Sequence, residues 1–222
     1  MRKFTWFAVL AMGLLAFAGT ASAFPVIDGA ITGTEWDSYF LQGFDPNEAG
    51  ITDNYDILEV RVYQENSGVA GDGLYFLMTT YAPPTFTGQG ASPTGQAFFV
   101  FGVDVNGDGD TNDNGDLLVQ YNDQFGAQVV AIRDGGFVLL GSGTGALGSV
   151  VEVFAPESVT GVTNFSTSQA FASLDNQGTD ADDRIPNQGF FTPVPEPGSM
   201  MLLGFGAAVA GLRRIRRKTV RS

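Results

Sequence analysis

The stretch AFFVFGVDVNGDGDTNDNGDLLVQY, residues 97–121, places two apolar runs on either side of a long acidic loop. The first run, AFFVFGVDV, is aromatic and β-branched, as is typical of a central β-strand, and DLLVQY begins a second strand directly after the loop. Two such runs joined by a loop rich in Gly, Asn and Asp predict a β-hairpin. The segment therefore favours an all-β fold.

The rest of the chain repeats this pattern of short strands between turns. Leu58, Val60 and Val62 alternate with Glu59 and Arg61, which predicts a half-buried strand with its two charged side chains facing solvent. Further strands are predicted in GLYFLMTTY (73–81), in QVVAIRDGGFVLL (128–140, a hairpin turning at 134–136), in SVVEVFAPES (149–158) and in QAFASL (169–174). With 30 Gly and no long helical apolar period between the two ends, we expect an antiparallel β-sandwich of the jelly-roll or immunoglobulin-like kind.

The chain begins with the features of a secretory signal peptide. Arg2 and Lys3 form a positive start, an apolar run follows, and Ala21 and Ala23 flank Ser22 in the small-x-small form of a signal-peptidase site. Residues 1–23 are therefore predicted to form a signal helix that signal peptidase removes, so that the mature protein is exported. A permanent N-terminal membrane anchor is the less favoured alternative.

The chain ends on a second signal with three parts. Pro195, Glu196 and Pro197 precede an apolar stretch, 199–212, that is shorter than the roughly 20 residues of a spanning helix. The basic residues that follow would hold this end in the cytoplasm; they are Arg213, Arg214, Arg216, Arg217 and Lys218. Together, residues 195–222 resemble the sorting signal of PEP-CTERM proteins. The resemblance implies transient membrane insertion of the short helix, cutting by an exosortase, and transfer to the cell surface or extracellular matrix. A plain tail anchor is the alternative.

The part of the chain from Asp28 to Glu196 is strongly acidic. Eight of the 11 Lys and Arg residues lie in the two ends, and all 24 Asp and Glu residues lie between Asp28 and Glu196, so three positive and 24 negative charges leave this region with −21. Such a surface repels nucleic acid and attracts divalent cations. With 0 His and 0 Cys, the chain has no Ser-His-Asp triad, disulfide or zinc-thiolate site. We expect one sandwich domain at 24–183 and a polar spacer at 184–194.

The acidic loop, residues 104–116, has the composition of a calcium-binding loop. It holds five Asp, three Asn and three Gly, and Gly109 falls at the sixth place, where calcium loops of the EF-hand kind turn sharply. The candidate ligands are Asp104, Asn106, Asp108, Asp110 and Asn112, with Asp113 or Asp116 closing the shell. Gly115 stands at the twelfth place instead of a bidentate Glu, and strands flank the loop, so we expect a Ca²⁺ loop within a β-hairpin. A solvated turn is the alternative, and repulsion among five carboxylates weighs against it.

Two other acidic clusters, DPNEAGITDNYD (45–56) and DNQGTDADD (175–183), could each hold a second ion. Neither has the regular spacing of the loop at 104–116. We therefore expect both of them to be solvated loops.

The opening of the mature chain, VIDGAITGTEWDSY (26–39), brings a second resemblance. Its Ile-Asp-Gly followed by Glu-Trp, with the later VEVFAPES, resembles carbohydrate-binding modules of the family-nine-like, DOMON-related type. The resemblance implies a surface β-sandwich that binds sugars, commonly with structural calcium. Sugar rings stack on aromatic side chains, and the candidates are Tyr81, Trp36 and Tyr121. Trp36 is favoured as a core residue, whereas Tyr81, beside the Pro- and Gly-rich loop at 82–96, is as plausible a platform as a buried residue.

Catalysis is not expected of this chain. Glu35, Glu59 and Glu152 are the carboxylates on structured-looking stretches, and a glycosidase needs two that face each other at about 5–10 Å. The sequence therefore predicts an exported, exosortase-sorted surface or matrix protein whose calcium-stabilised sandwich binds extracellular polysaccharide without catalysis. The alternative is a structural or adhesive matrix protein with no sugar site, and a glycoside hydrolase is less favoured.

Overall fold

The computed structural model describes residues 25–37, 39–68, 71–86, 97–111, 113, 115–124, 127–163, 169–176 and 183–186. The strands are β1 (Leu41–Phe44), β2 (Ile57–Glu65), β3 (Gly73–Thr80), β4 (Ala97–Asp104), β5 (Leu117–Gln124), β6 (Ala127–Asp134), β7 (Leu139–Ser142), β8 (Thr144–Leu147), β9 (Val151–Pro156), β10 (Gln169–Asn176) and β11 (Asp183–Ile185), and one short helix, α1 (Glu157–Thr160), follows β9. The predicted signal helix and C-terminal helix lie outside the described residues. No helix within the described ranges is long and apolar enough to cross a membrane.

The strands form two antiparallel sheets. The first has the order β1-β2-β3-β9-β8 and the second the order β11-β10-β4-β5-β6-β7. The hairpin predicted around the acidic loop is confirmed, because β4 and β5 pair antiparallel from Phe99 opposite Tyr121 to Val103 opposite Leu117. The all-β class is therefore confirmed, and the finer likeness to a jelly roll or an immunoglobulin domain stays a prediction.

The core lies between the inner faces of the two sheets. The ring of Phe76 on β3 packs against that of Phe101 on β4, with 4.9 Å between the ring centroids. Tyr121 on β5 is fully buried in the same cluster, and its hydroxyl donates to Gln128 Oε1 at 2.6 Å. Burial of these apolar faces provides most of the stability of such a fold. Tyr121 is therefore a core residue, which corrects its prediction as a sugar-binding platform.

Strand β2 departs from the predicted alternation. A register shift between Ile57 and Glu59 in the pairing with β3 marks a bulge, which breaks the period of two at Leu58. Glu59 was expected to face solvent, but it is buried. Its carboxylate accepts from Arg61 Nε at 2.6 Å and from the Gln42 amide at 2.5 Å, so these two long side chains cover it.

The N-terminal segment closes the outer face of the first sheet. Trp36 is buried there with Tyr75, Leu77 and Val150. Its Nε1 donates to Glu152 Oε1 at 2.7 Å, while Glu152 Oε2 accepts from the amides of Asp28 and Gly29 at 2.9 and 2.8 Å. The Ile-Asp-Gly and Glu-Trp parts of the opening motif therefore both donate hydrogen bonds to Glu152 on β9. Trp36 is a buried core residue, which confirms the favoured expectation. It is therefore not available to stack on a sugar.

The last described strand runs past the predicted end of the domain. β11 continues to Ile185, two residues into the segment predicted as a spacer from 184. Ile185 is buried in the core, and the Arg184 guanidinium lies over the Phe171 ring at 4.3 Å from its centroid. These two contacts hold Arg184 and Ile185 on the sandwich.

Candidate metal centre in the acidic loop

Four carboxylates meet in the loop between β4 and β5. The ligand oxygens of Asp108, Asp110, Asp113 and Asp116 all lie within 4.8 Å of one another. Opposite ligands of a Ca²⁺ ion, each at about 2.4 Å, lie about 4.8 Å apart, so one cation could contact all four. The group therefore has the size of a single cation site.

Asp116 is the buried member of this group, with 1 % of its surface exposed. Its Oδ1 accepts from the amide of Val105 at 2.9 Å, and its buried Oδ2 has no hydrogen-bond partner. Burial above all, and then the negative charge of Asp113, raise the pKa of Asp116 to about 6. A buried oxygen left unpartnered is costly, and a cation between the four carboxylates would remove that cost.

Asp104, the predicted first ligand, has a different role in the structure. It is buried, and its two carboxylate oxygens accept from the amides of Gly107 and Gly109 at 2.5 and 2.9 Å. Both glycines have positive φ, 78° and 97°, which confirms the sharp turn expected at Gly109. Asp104 therefore orders the loop by accepting these backbone hydrogen bonds, and it lies outside the group of four.

The asparagine and aspartate side chains also order the loop. The Asn106 amide donates to both oxygens of Asp113 at 3.2 Å, and its Oδ1 accepts from the amide of Asp108 at 2.8 Å. Asp108 in turn accepts from the amide of Asp110 at 3.1 Å. These local bonds fold the backbone around the carboxylates. Asn106 positions Asp108 and Asp113 through these bonds, and its role as a ligand stays a prediction. Asn112 lies outside the described residues.

The turn between β6 and β7 supports the loop from the side. A Cβ placed on Gly135 would lie 2.5 Å from the backbone oxygens of both Thr111 and Asp113. Only glycine allows this close approach. The sequence predicts a hairpin turn at Gly135. Its contact with the acidic loop depends on the pairing of β4 with β5 and of β5 with β6, which the sequence does not show.

The exposed apolar and aromatic side chains lie elsewhere. Tyr81, the remaining predicted sugar platform, is 36 % exposed, and its hydroxyl donates to the backbone oxygen of Asp45 at 2.9 Å. Phe44, the last residue of β1 in the first sheet and the neighbour of Asp45 in the chain, is also exposed. A second exposed run, Phe137 to Leu140, spans the end of the β6–β7 connection and the start of β7, within the hairpin predicted at 128–140.

Comparison with known proteins identifies the C-terminal end. Residues 193–217 match the family model of the PEP-CTERM protein-sorting motif. The chain carries a PEP-CTERM sorting signal. This confirms the resemblance seen in Pro195, Glu196, Pro197 and the parts that follow, all outside the described residues. The motif supports an exported surface protein that an exosortase sorts. No curated protein and no solved structure matches the chain, and the likeness to DOMON-related modules stays a prediction.

Proposed function

We propose that this chain is an exosortase-sorted surface or matrix protein whose β-sandwich is stabilised by Ca²⁺ in the acidic loop. The observation that carries the proposal is the group of four aspartates within 4.8 Å of one another, with a buried, unpartnered oxygen on Asp116. A donor set made only of oxygens suits a hard cation. Ca²⁺ accepts irregular carboxylate geometry, whereas Mg²⁺ requires a near-ideal octahedron.

The cation would act on the hairpin that carries it. Asp116 directly precedes β5, and Asp104 ends β4, so a filled loop fixes the two central strands of the second sheet relative to each other. Cation binding to the folded state alone stabilises it by RT ln(1 + [L]/Kd), about 2.7 kcal/mol at a concentration about 100 times Kd. This mechanism suits an exported domain that has no disulfide to stabilise it.

The role of the domain is non-catalytic in this proposal. Each Glu considered as a possible catalytic residue serves the fold instead: Glu59 pairs with Arg61, and Glu152 holds the Trp36 indole. Glu35 accepts from the amide of Thr32 at 2.5 Å. Carboxylates engaged in this way are poorly placed to act as a glycosidase pair.

A structural or adhesive role is the function that the geometry supports best. Trp36 and Tyr121, two of the three predicted sugar platforms, are buried, and the exposed run from Phe137 to Leu140 offers apolar surface for assembly. Binding of extracellular polysaccharide is the second candidate, and the exposed Phe44 and the half-exposed Tyr81 favour it. The sequence alone favours these two roles in the opposite order.

Thermal unfolding of the full chain, purified in mild detergent, tests the calcium assignment. About 5 mM Ca²⁺ should raise the melting temperature by about 5 °C over EDTA. Asp108→Ala should remove most of this gain, and Asp37→Ala, which changes an exposed aspartate away from the loop, should keep it. An unchanged melting temperature in millimolar Ca²⁺ would refute the assignment.

Co-sedimentation with the producing cell's own polysaccharide separates the two roles. If the chain binds polysaccharide through Tyr81, it should sediment with the polymer and Tyr81→Ala should stay in the supernatant. Phe137→Ser serves as a matched loss of another exposed aromatic. Absence of binding by the wild-type chain in both Ca²⁺ and EDTA would leave the structural or adhesive role.

A further inference from the structure

Four consecutive apolar side chains are exposed at one edge of the second sheet. Phe137, Val138, Leu139 and Leu140 have 44 to 63 % of their surface exposed. Leu139 and Leu140 open β7, the edge strand of this sheet, and Phe137 and Val138 lead into it from the turn after β6. Single exposed apolar residues are common, but an exposed run of four is unusual unless it serves binding. We call residues 137–140 the apolar edge.

The turn that presents the apolar edge is held by hydrogen bonds. The amide of Phe137 donates to the backbone oxygen of Asp134 at 2.9 Å, and the amide of Val138 donates to Asp134 Oδ1 at 2.7 Å. Arg133 Nη1 donates to the backbone oxygen of Phe137 at 3.2 Å. Phe137 has a φ of 66°, a left-handed conformation that is costly for a residue with a bulky side chain. The fold therefore fixes the backbone of an exposed aromatic residue, which lowers the entropic cost of a contact there.

The apolar edge lies in a stretch of sequence without charge. Residues 135–151 contain no Asp, Glu, Lys or Arg, although the chain from Asp28 to Glu196 carries three positive and 24 negative charges. Two copies with such a charge repel each other over most of their surface. They can approach where one uncharged surface meets another. The apolar edge of a second copy is such a surface, because a two-fold axis brings the same patch of both copies together.

One cation borders the apolar edge. The acidic part of the chain has three cations, of which Arg61 pairs with Glu59 and Arg184 lies over an aromatic ring. Arg133 forms no ion pair within the described ranges. An uncompensated cation beside apolar surface suits an acidic partner, and this chain is itself acidic. Asp134 lies on the same turn, so a two-fold contact can set Arg133 of each copy against Asp134 of the other.

We propose that the apolar edge is a contact between two copies of this chain, made by the side chains of residues 137–140 about a two-fold axis. This self-contact rests on the structural or adhesive role proposed above and names the partner for it. β7 is a poor template for a shared sheet, because its pairing with β6 contains a register shift. Side chains therefore make the contact, which is small and weak. Display on a surface raises the local concentration and so favours a weak contact.

Site-directed cross-linking of the full chain tests this self-contact, because the chain has 0 Cys and one introduced thiol is the only one present. In mild detergent at about 0.15 M salt, Leu139→Cys should give a covalent dimer with a short bis-maleimide. Phe44→Cys, at an exposed apolar position that ends β1 of the first sheet, is the matched control and should stay monomeric.

A second pair of variants tests the apolar chemistry of the contact. Val138→Asp, added to Leu139→Cys, should lower the dimer fraction about tenfold, because it places a carboxylate in an apolar contact. Val26→Asp, which changes another exposed valine, should leave the dimer fraction unchanged. Both valines are more than half exposed, so neither change removes a buried contact of the fold.

The other possible results overturn the self-contact. Equal dimer from Leu139→Cys and Phe44→Cys would indicate association through other parts of the chain, and monomer from both would show that there is none. Protection of the Leu139→Cys thiol by the producing cell's polysaccharide or by lipid vesicles, without dimer, would assign the apolar edge to that partner. A failed self-contact would leave the gain in melting temperature with Ca²⁺ intact, whereas polysaccharide binding through Tyr81 would refute the structural or adhesive role whatever the cross-linking result.

Discussion

Replacement of Asp116 by Asn should stabilise the metal-free chain and weaken the calcium-bound one. Asn keeps an oxygen that can accept from the amide of Val105, so the local backbone bond is retained. It removes a buried negative charge that faces the carboxylates of Asp108, Asp110 and Asp113. The same substitution removes the buried ligand of the proposed cation, so its effect should change sign with calcium.

The expected gain in stability of the metal-free chain follows from the pKa of Asp116. A rise from 3.8 to about 6 corresponds to about 3 kcal/mol of cost for the ionised group at neutral pH. Burial is the largest cause of this rise, and the polar Asn amide would keep part of the cost of burial. We therefore expect about half of this value, which is about 3–6 °C in melting temperature for a domain of this size.

Differential scanning calorimetry of the full chain at neutral pH measures both effects, the stabilisation without calcium and the destabilisation with it. In EDTA, Asp116→Asn should melt above the wild type, and in about 5 mM Ca²⁺ it should melt below it. Asp110→Asn is the matched control, since it removes an exposed member of the group and should lower the calcium gain with little change in EDTA. A lower melting temperature for Asp116→Asn in EDTA would refute the reasoning.

Three further predictions concern the supports of the fold and the pH dependence of stability. Glu152→Ala would leave the Trp36 indole and two amides without their acceptor, and urea unfolding should show a loss of about 2–4 kcal/mol. Gly135→Ala should weaken calcium binding about tenfold by calorimetric titration, since its Cβ would displace the acidic loop. In EDTA, urea midpoints should fall as the pH rises from about 5 to about 7, because the raised pKa of Asp116 and of Asp183, each about 6, makes the folded chain bind more protons than the unfolded chain. A urea midpoint that stays constant or rises between about pH 5 and about pH 7 would contradict this predicted fall.

The long strands could be predicted because their pattern is local. β3 and β4 each have eight residues that are mostly apolar, aromatic or β-branched. β1 (LQGF) and β8 (TGAL) have four residues each, and their pairing depends on neighbours distant in the chain. The burial of Glu59 was not predictable either, because it depends on Arg61 and on Gln42 of the neighbouring strand, which cover its carboxylate.

The acidic loop was visible in the sequence because its candidate ligands lie within 13 consecutive residues. The role of Asp104 was not, because whether a carboxylate accepts backbone bonds or faces an ion depends on the path of the loop. The burial of Asp45, Asp56 and Asp183 could not be predicted, and the expectation of solvated loops at 45–56 and 175–183 is wrong for these three residues. The amide of Ile57 donates to the Asp183 carboxylate, 126 residues away, and only the packing of the two sheets brings them together.

Anomalous scattering from crystals of the protein grown in millimolar Ca²⁺ tests the loop site most directly. We expect a peak between Asp108, Asp110, Asp113 and Asp116, with carboxylate oxygens at about 2.3–2.6 Å from it. An ordered loop with no anomalous peak, and with these carboxylates turned apart toward solvent, would contradict it.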